Sequence, residues 1–216
     1  MLLTEQLLLL SLDETTGKIS SSTAGYFAFG LGGALLFDLY FLQRIRFEEE
    51  KVVPVDLSPL NDPLLDFVMT ELGKANKPRK ILEWIDGANR KYYEIRDLLY
   101  ARFQAQGILG RQETKKLRLF SFIIHPLLKP QVKMDLLIEI EKVLLDDAPP
   151  SEQMAVLLSL INETHLINSL FPKEFRKAMK KKIEDISKSN IIGKAIRDVI
   201  QMMTATFMAV FVATIS

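Results

Sequence analysis

The chain has 216 residues, 48% of them hydrophobic and 25% charged, with 10 Gly and 9 Pro, a composition that excludes disorder and is long enough to bury one sizeable core. Its lack of cysteine excludes a disulfide scaffold, a thiolate metal site and a thiol nucleophile, and suits a reducing compartment. A formal net charge of +1 argues against a nucleic-acid binder held by bulk charge, because neutralising phosphates needs many excess cations.

Met1-Leu2-Leu3-Thr4-Glu5 lacks the basic stretch that opens a signal peptide, so secretion is not expected. Thr4 is placed as the N-cap of a first helix whose Leu7 to Leu10 leave little polar surface, which puts it inside the core. Asp13-Glu14-Thr15-Thr16-Gly17 ends it as a turn. A second apolar helix is expected from about Ala24 to Leu42, with Gly30, Gly32 and Gly33 letting a neighbour approach its backbone closely. Ile19 to Phe37 is broken by serines and glycines, and Gln201 to Ser216 falls short of the roughly 20 apolar residues of a span, so both are read as core helices.

Arg44-Ile45-Arg46-Phe47-Glu48 alternates as a half-buried strand does, with Val52, Val53 and Val55 as its returning partner. Helices follow at about Asp62 to Gly73, Pro78 to Asp86 and Asn89 to Gln106. Leu117 to Ile124, rich in aromatic and branched residues, pairs with Ile108-Leu109 across a polar turn as a β-hairpin. Beyond it, helices are expected at about Pro130 to Leu145, Ser151 to Asn162, Pro172 to Lys188, and from Ile191 onward.

Catalysis needs convergent nucleophiles, bases or ligands, and the two histidines, His125 and His165, lie in unrelated contexts. His125 is read as a structural residue at a strand end, and His165 as a surface or cap residue. Gly30-Leu31-Gly32-Gly33 lacks the third small residue of a dinucleotide fingerprint, and Glu48-Glu49-Glu50 is a solvated charge run. Trp84 is read as a helix-packing residue, and Lys180-Lys181-Lys182, followed by Glu184 and Asp185, as a solvated helix face. No enzyme, metal or cofactor is expected.

Charge distribution points to the middle of the chain. Residues 1–75 carry five Lys/Arg against eleven Asp/Glu, whereas residues 86–133 carry ten Lys/Arg against four acids. There Arg96 has Tyr92 and Tyr100 at helical spacing, with Arg90 and Lys91 just before them, a setting that can hold a phosphate. The adjacent hairpin combines Phe120, Phe122 and Ile123 with Arg111, Lys115, Lys116 and Arg118, a pattern suited to apolar insertion beside anionic headgroups. The same pattern suits a hairpin packed on the protein's own core, and both readings stay open.

Six short signatures in order carry a family resemblance: Leu3 to Asp13, a Leu run into an Asp turn; Gly30 to Leu39 with Gln43-Arg44-Ile45; Asp62-Pro63-Leu64-Leu65-Asp66; Trp84-Ile85; Arg96 to Gly107-Ile108-Leu109; and His125-Pro126-Leu127. Together they resemble the Golgi phosphoprotein 3 family along essentially the whole chain. The resemblance implies a non-enzymatic peripheral-membrane adaptor that binds phosphatidylinositol 4-phosphate through a tryptophan and several arginines and engages cytoplasmic tails of membrane proteins. Carried over residue by residue, the tryptophan falls near Thr23, one arginine on Gly32, and two more on Tyr93 and Arg96. Only Arg96 keeps its charge, and losing two charge-assisted contacts at about 1.5–3 kcal/mol each predicts weak headgroup specificity. Without the long basic extension that precedes the first helix in Golgi members, the chain reads as a compact, bacterial homologue.

The expected fold is therefore mainly α, one domain over 1–216, with an apolar helical core including the first, second and last helices, ringed by amphipathic helices and bearing one projecting β-hairpin. The expected function is peripheral binding of anionic phospholipid headgroups on the cytoplasmic face of a membrane. Arg96, Arg90 and Lys91 would bind lipid phosphate, and Lys115, Lys116, Arg118, Phe120 and Phe122 would contact the membrane. The alternative is a protein-interaction or homo-oligomerisation module that uses the same hairpin.

Overall fold

A computed structural model of the protein describes residues 1–19, 21–116, 120–146, 148–189 and 191–215, with the side chains of 21–25, 115–116, 120 and 206–215 outside the description. Helices dominate: α1 (Leu3–Ser11), α2 (Ser21–Phe41), α3 (Pro63–Gly73), α4 (Ile81–Arg90), α5 (Tyr92–Ala105), α6 (Pro130–Leu145), α7 (Glu152–Glu163), α8 (Ile167–Leu170), α9 (Lys173–Lys188) and α10 (Lys194–Ile215). Strands β1 (Ile45–Glu48), β2 (Lys51–Pro54) and β3 (Arg79–Lys80) form one antiparallel sheet, while β4 (Gln112–Lys116) and β5 (Phe120–Ile124) form a separate hairpin. The mainly α class and the hairpin agree with the sequence reading. Among the described residues no helix is long and apolar enough to cross a membrane.

The core is built around α1, whose Leu7, Leu8 and Leu9 are wholly buried, and α2, where Phe27, Ala34, Phe37 and Leu39 are. Helix α7 is the third central element, with Ala155 to Leu158 and Ile161 sealed from solvent. The described part of α10 contributes Ile196, Val199, Ile200 and Met203. Amphipathic α9 covers the outside, burying Met179, Ile183 and Ile186; of the lysine run read as a solvated face, Lys181 is exposed, while Lys180 and Lys182 are half-buried and Lys180 lines a cavity.

A helix buried along its length cannot leave its end groups to water, so they must find partners inside the protein. Thr4 was expected to cap α1, but the helix starts two residues earlier, with Leu2 at the N-cap position, and the cap comes from another helix. The Asp38 carboxylate of α2 accepts from Leu3 N at 2.7 Å, Thr4 N at 3.0 Å and the Thr4 hydroxyl. At the opposite end, Lys133 of α6 donates to Leu12 O at 2.7 Å. An anion thus sits at the N-terminus and a cation at the C-terminus, the arrangement the helix dipole favours. Glu5 turns back to accept from Leu2 N at 2.7 Å and receives Arg102 of α5 at 3.3 Å. Arg102 also donates to Asp62, which caps α3 by accepting from Leu64 N and Leu65 N at 3.0 Å.

The glycines of α2 do serve close packing, each against a different helix. A Cβ added at Gly32 would lie 3.0 Å from Ala88 Cβ and 3.2 Å from Ile85 O of α4, and one at Gly33 would strike Met203 of α10 at 2.1 Å. Without side chains there, α4 and α10 close against the α2 backbone.

Several boundaries differ from expectation, among them the starts of α2 at Ser21 and of α10 at Lys194. The helix expected at Pro78 to Asp86 begins only at Ile81, because Arg79 and Lys80 pair with Val52 and Lys51 as β3. It then runs through Gly87 to Arg90, and the break falls at Lys91, whose φ of −102° and ψ of 20° are not helical. In the hairpin, the residues expected as a polar turn are themselves strand β4, with Gln112 opposite Ile124 and Lys116 opposite Phe120. Ile108-Leu109 is not the partner strand; Leu109 makes a lone bridge to Leu127.

Burial pushes the Asp38 carboxyl up to about 6, against the pull of its hydrogen bonds from Thr4 and Leu3. A folded-state pKa above the unfolded value of 3.8 means that the native protein holds a proton the unfolded chain has lost, so the stability Asp38 contributes is fully present below about pH 4 and is lost as pH rises through about 6. At 1.4 kcal/mol per pH unit the loss approaches roughly 3 kcal/mol. Denaturant unfolding of wild type and Asp38→Asn between pH 4 and 7 checks this: the wild type is expected to lose stability relative to the variant as pH rises, and parallel curves would refute it.

Candidate functional site

Helix α5 turns Ile95, Leu99 and Phe103 inward, which leaves Tyr93 and Arg96 on its outer side. Tyr93 is 66% exposed. The Arg96 guanidinium lies 5.0 Å from the centre of the Tyr93 ring and 5.7 Å from that of Tyr100, and its Nε and Nη2 both donate to Asp97 Oδ1, at 3.0 and 2.7 Å. The aromatic flanks of Arg96 are thus Tyr93 and Tyr100, where the spacing had suggested Tyr92 and Tyr100. Asp97 is well exposed, so this ion pair is worth little and its cation remains exchangeable.

Tyr100 fixes the helix to the α1–α2 turn by donating to Gly17 O at 2.6 Å. Burial pushes its phenol up to about 12, so the hydroxyl stays a donor. Gly17 has φ +65°, and a Cβ there would fall 2.2 Å from His125 O, so both the conformation and the space demand glycine. His125 is structural, as expected: its ring packs edge-on to Tyr100 at 5.0 Å, and Nδ1 lies 2.9 Å from Gln104 Nε2 and 3.2 Å from Gly110 O. Its backbone N–H donates to Thr16 O at 3.0 Å, and Leu127 N donates to Glu14 O at 2.8 Å. Arg96, Tyr100 and His125 therefore lead from α5 to the end of β5 without a gap.

On the hairpin, Phe122 is half-buried with Lys18 Nζ 5.2 Å from its ring centre, while Ile123 is 44% exposed near exposed Arg111. Of the predicted membrane contacts, Arg118 lies outside the described residues. Lys115, Lys116 and Phe120 have described strand backbones, but their side chains lie outside the description, as does that of Thr23.

The predicted phosphate ligands divide into two places. Arg90 pairs with Asp86, and Lys91 lies 3.6 Å from Glu71 and 5.2 Å from the Phe67 ring centre. Both line a cavity of about 150 Å³ between α2, α3 and α4, which Arg96 does not line. Gly32, where the resemblance places a family arginine, packs tightly on α4: an added Cβ would lie 3.0 Å from Ala88 Cβ, close enough that α4 would have to give slightly. Arg102, counted in the basic stretch, is tied to Glu5 and Asp62 and serves structure.

Two residues on the cavity have a place the sequence reading did not give them: Trp84 was read as a helix-packing residue, and Arg79 was not singled out. Trp84, whose buried Nε1 has no hydrogen-bond partner among the described residues, lines its wall, and Arg79 lies 5.3 Å over the indole. The visible signal was a lone tryptophan shortly after Lys77, Arg79 and Lys80. A second cavity, of about 540 Å³, lies between α7, α9 and α10. Burial raises the Glu163 carboxyl on its wall, against a hydrogen bond from Thr204. Beside it, His165 follows α7 with φ +58°, in keeping with its reading as a cap.

Comparison with curated proteins gives no match. The family model described as Golgi phosphoprotein 3 (GPP34) matches residues 3–203, from the first turn of α1 to Met203 of α10. With the buried α1, the glycine-bearing α2 and the hairpin all inside that match, the chain belongs to the Golgi phosphoprotein 3 (GPP34) family.

Proposed function

We propose that the protein is a non-enzymatic adaptor that docks peripherally on the cytoplasmic face of a membrane, through the face formed by Arg96, the hairpin and Lys18. The observation that carries this reading is the continuity from Arg96 through Tyr100 and His125 to β5. It joins an exchangeable guanidinium to a hairpin that offers exposed Ile123 and the basic positions Arg111, Lys115, Lys116 and Arg118. Cations of this kind draw a protein to anionic lipid, and the apolar side chains add short-range insertion. Family membership agrees with a lipid- and protein-binding role. Arg96 contacts a phosphate, Arg90 and Lys91 add charge from the neighbouring cavity rim, and cytoplasmic tails of membrane proteins are the natural clients.

The headgroup is read by charge rather than by identity. Gly32 supplies no cation, and Tyr93 offers an aromatic ring where a second cation would stand. A second reading has one observation in its favour: β4 and β5 form a two-stranded sheet, leaving each outer edge open to pairing with another copy among the described residues.

Co-sedimentation with vesicles separates these readings. Binding is expected to equal amounts of generic anionic lipid and phosphatidylinositol 4-phosphate at matched charge, and to fall with salt. At about 1 kcal/mol per lysine near the surface, Lys115→Ala/Lys116→Ala is expected to weaken it roughly 30-fold. Arg96→Ala is expected to weaken binding to both lipids alike, and a phosphoinositide preference abolished by that substitution would overturn the charge-only reading. No binding to any vesicle, together with an oligomer that Ile123→Asp dissociates on dilution, would replace membrane docking with self-association.

A further inference from the structure

We infer that the cavity between α2, α3 and α4 is a separate ligand site that takes a single-chain alkyl anion: a short apolar body carrying a phosphate or carboxylate. Its apolar wall comes from Leu35 and Leu36 of α2 and Phe67 and Val68 of α3. Trp84 adds the feature that packing alone does not explain. Its Nε1 is buried with no acceptor among the described residues, although nearly all buried donors in native proteins are satisfied. The N–H is sealed from the cavity as it stands, so a ligand oxygen supplies the missing acceptor by way of a small turn of the indole.

The rim selects the charge. Arg79 lies over the indole and has no carboxylate partner among the described residues. Arg90, two-thirds exposed, is held only by Asp86, itself half exposed. Of the two acids at the rim, Glu71 is already matched by Lys74 at 2.6 Å and Lys91 at 3.6 Å, which leaves exposed Glu83 as the only unpaired acid among the described lining residues. A cavity of about 150 Å³ suits one ring or one short chain, the size for which an apolar protein cavity holds benzene, and excludes the two tails of a bilayer lipid. Neither Arg96 nor Tyr93 lines the cavity; it shares only the rim charges of Arg90 and Lys91 with the docking surface proposed above.

Trp84 is the only tryptophan in the chain, so its emission reports on this cavity and on nothing else. The test titrates the full chain with octyl phosphate below its micelle concentration, with octanol, and with inorganic phosphate. A saturable change in Trp84 emission is expected with octyl phosphate, at least tenfold weaker binding with octanol, and no change with inorganic phosphate. Arg79→Ala is expected to raise the octyl phosphate Kd at least fivefold while Arg96→Ala leaves it unchanged. Titration calorimetry of Trp84→Phe, which lacks both the donor and the fluorophore, is expected to show weakened binding. Absence of a saturable change, octanol binding as tightly as octyl phosphate, or a Kd indifferent to Arg79→Ala and Trp84→Phe would overturn the inference.

Discussion

The fold depends on how the two ends of α1 are satisfied. A nine-residue helix sealed inside a protein would otherwise strand its terminal N–H and C=O groups without water, at a cost of about 1–3 kcal/mol for each. Asp38 and Lys133 remove that cost from opposite sides, each with the sign the helix dipole prefers. Because they belong to α2 and α6, the same contacts set how the glycine helix and the helix after the hairpin lie against the core. Asp38 retains a strain of its own, since burial of a carboxylate is unfavourable and three hydrogen bonds only partly offset it.

From this centre the surface follows. Glu5, in the first turn of α1, holds Arg102 of α5, and the turn after α1 holds Tyr100 and the end of β5. The base of the hairpin and the outer face of α5 are thus anchored to buried α1, which gives that face a rigid backing. The cost is that some of the basic stretch is consumed. Arg102 and Lys133 answer buried groups and Lys129 donates to Gln106 O after α5, while Arg96 stands on the outer face of α5 and Arg90 and Lys91 at the rim of the Trp84 cavity.

Much of this was legible in the residues, and the failures have physical causes. Helices α1, α2 and α6 stand out because apolar runs, Gly17 and Pro130 mark their extents. Strand β4 was missed because Gln112 to Lys116 carries no apolar alternation; its strand state comes from pairing with β5 rather than from its own side chains. Strand β3 has only two residues and exists through its register with Lys51 and Val52. Gly87 looked like a helix break, yet a single glycine costs only about 1 kcal/mol and tertiary packing carried α4 through it. Asp38 was a visible clue, a lone acid in an otherwise apolar helix, but its partner lies 34 to 35 residues away in sequence, beyond the reach of periodicity. The cavity around Trp84 was illegible for the same reason, since its walls come from three helices.

Hydrogen–deuterium exchange of the full chain, with and without anionic vesicles, tests the account most directly because it asks every surface at once. The account predicts new protection across 111–124 and the first half of α5, and none along α9, whose exposed lysines form an ordinary solvated face. Protection confined to α9, or none anywhere on the chain, would contradict it.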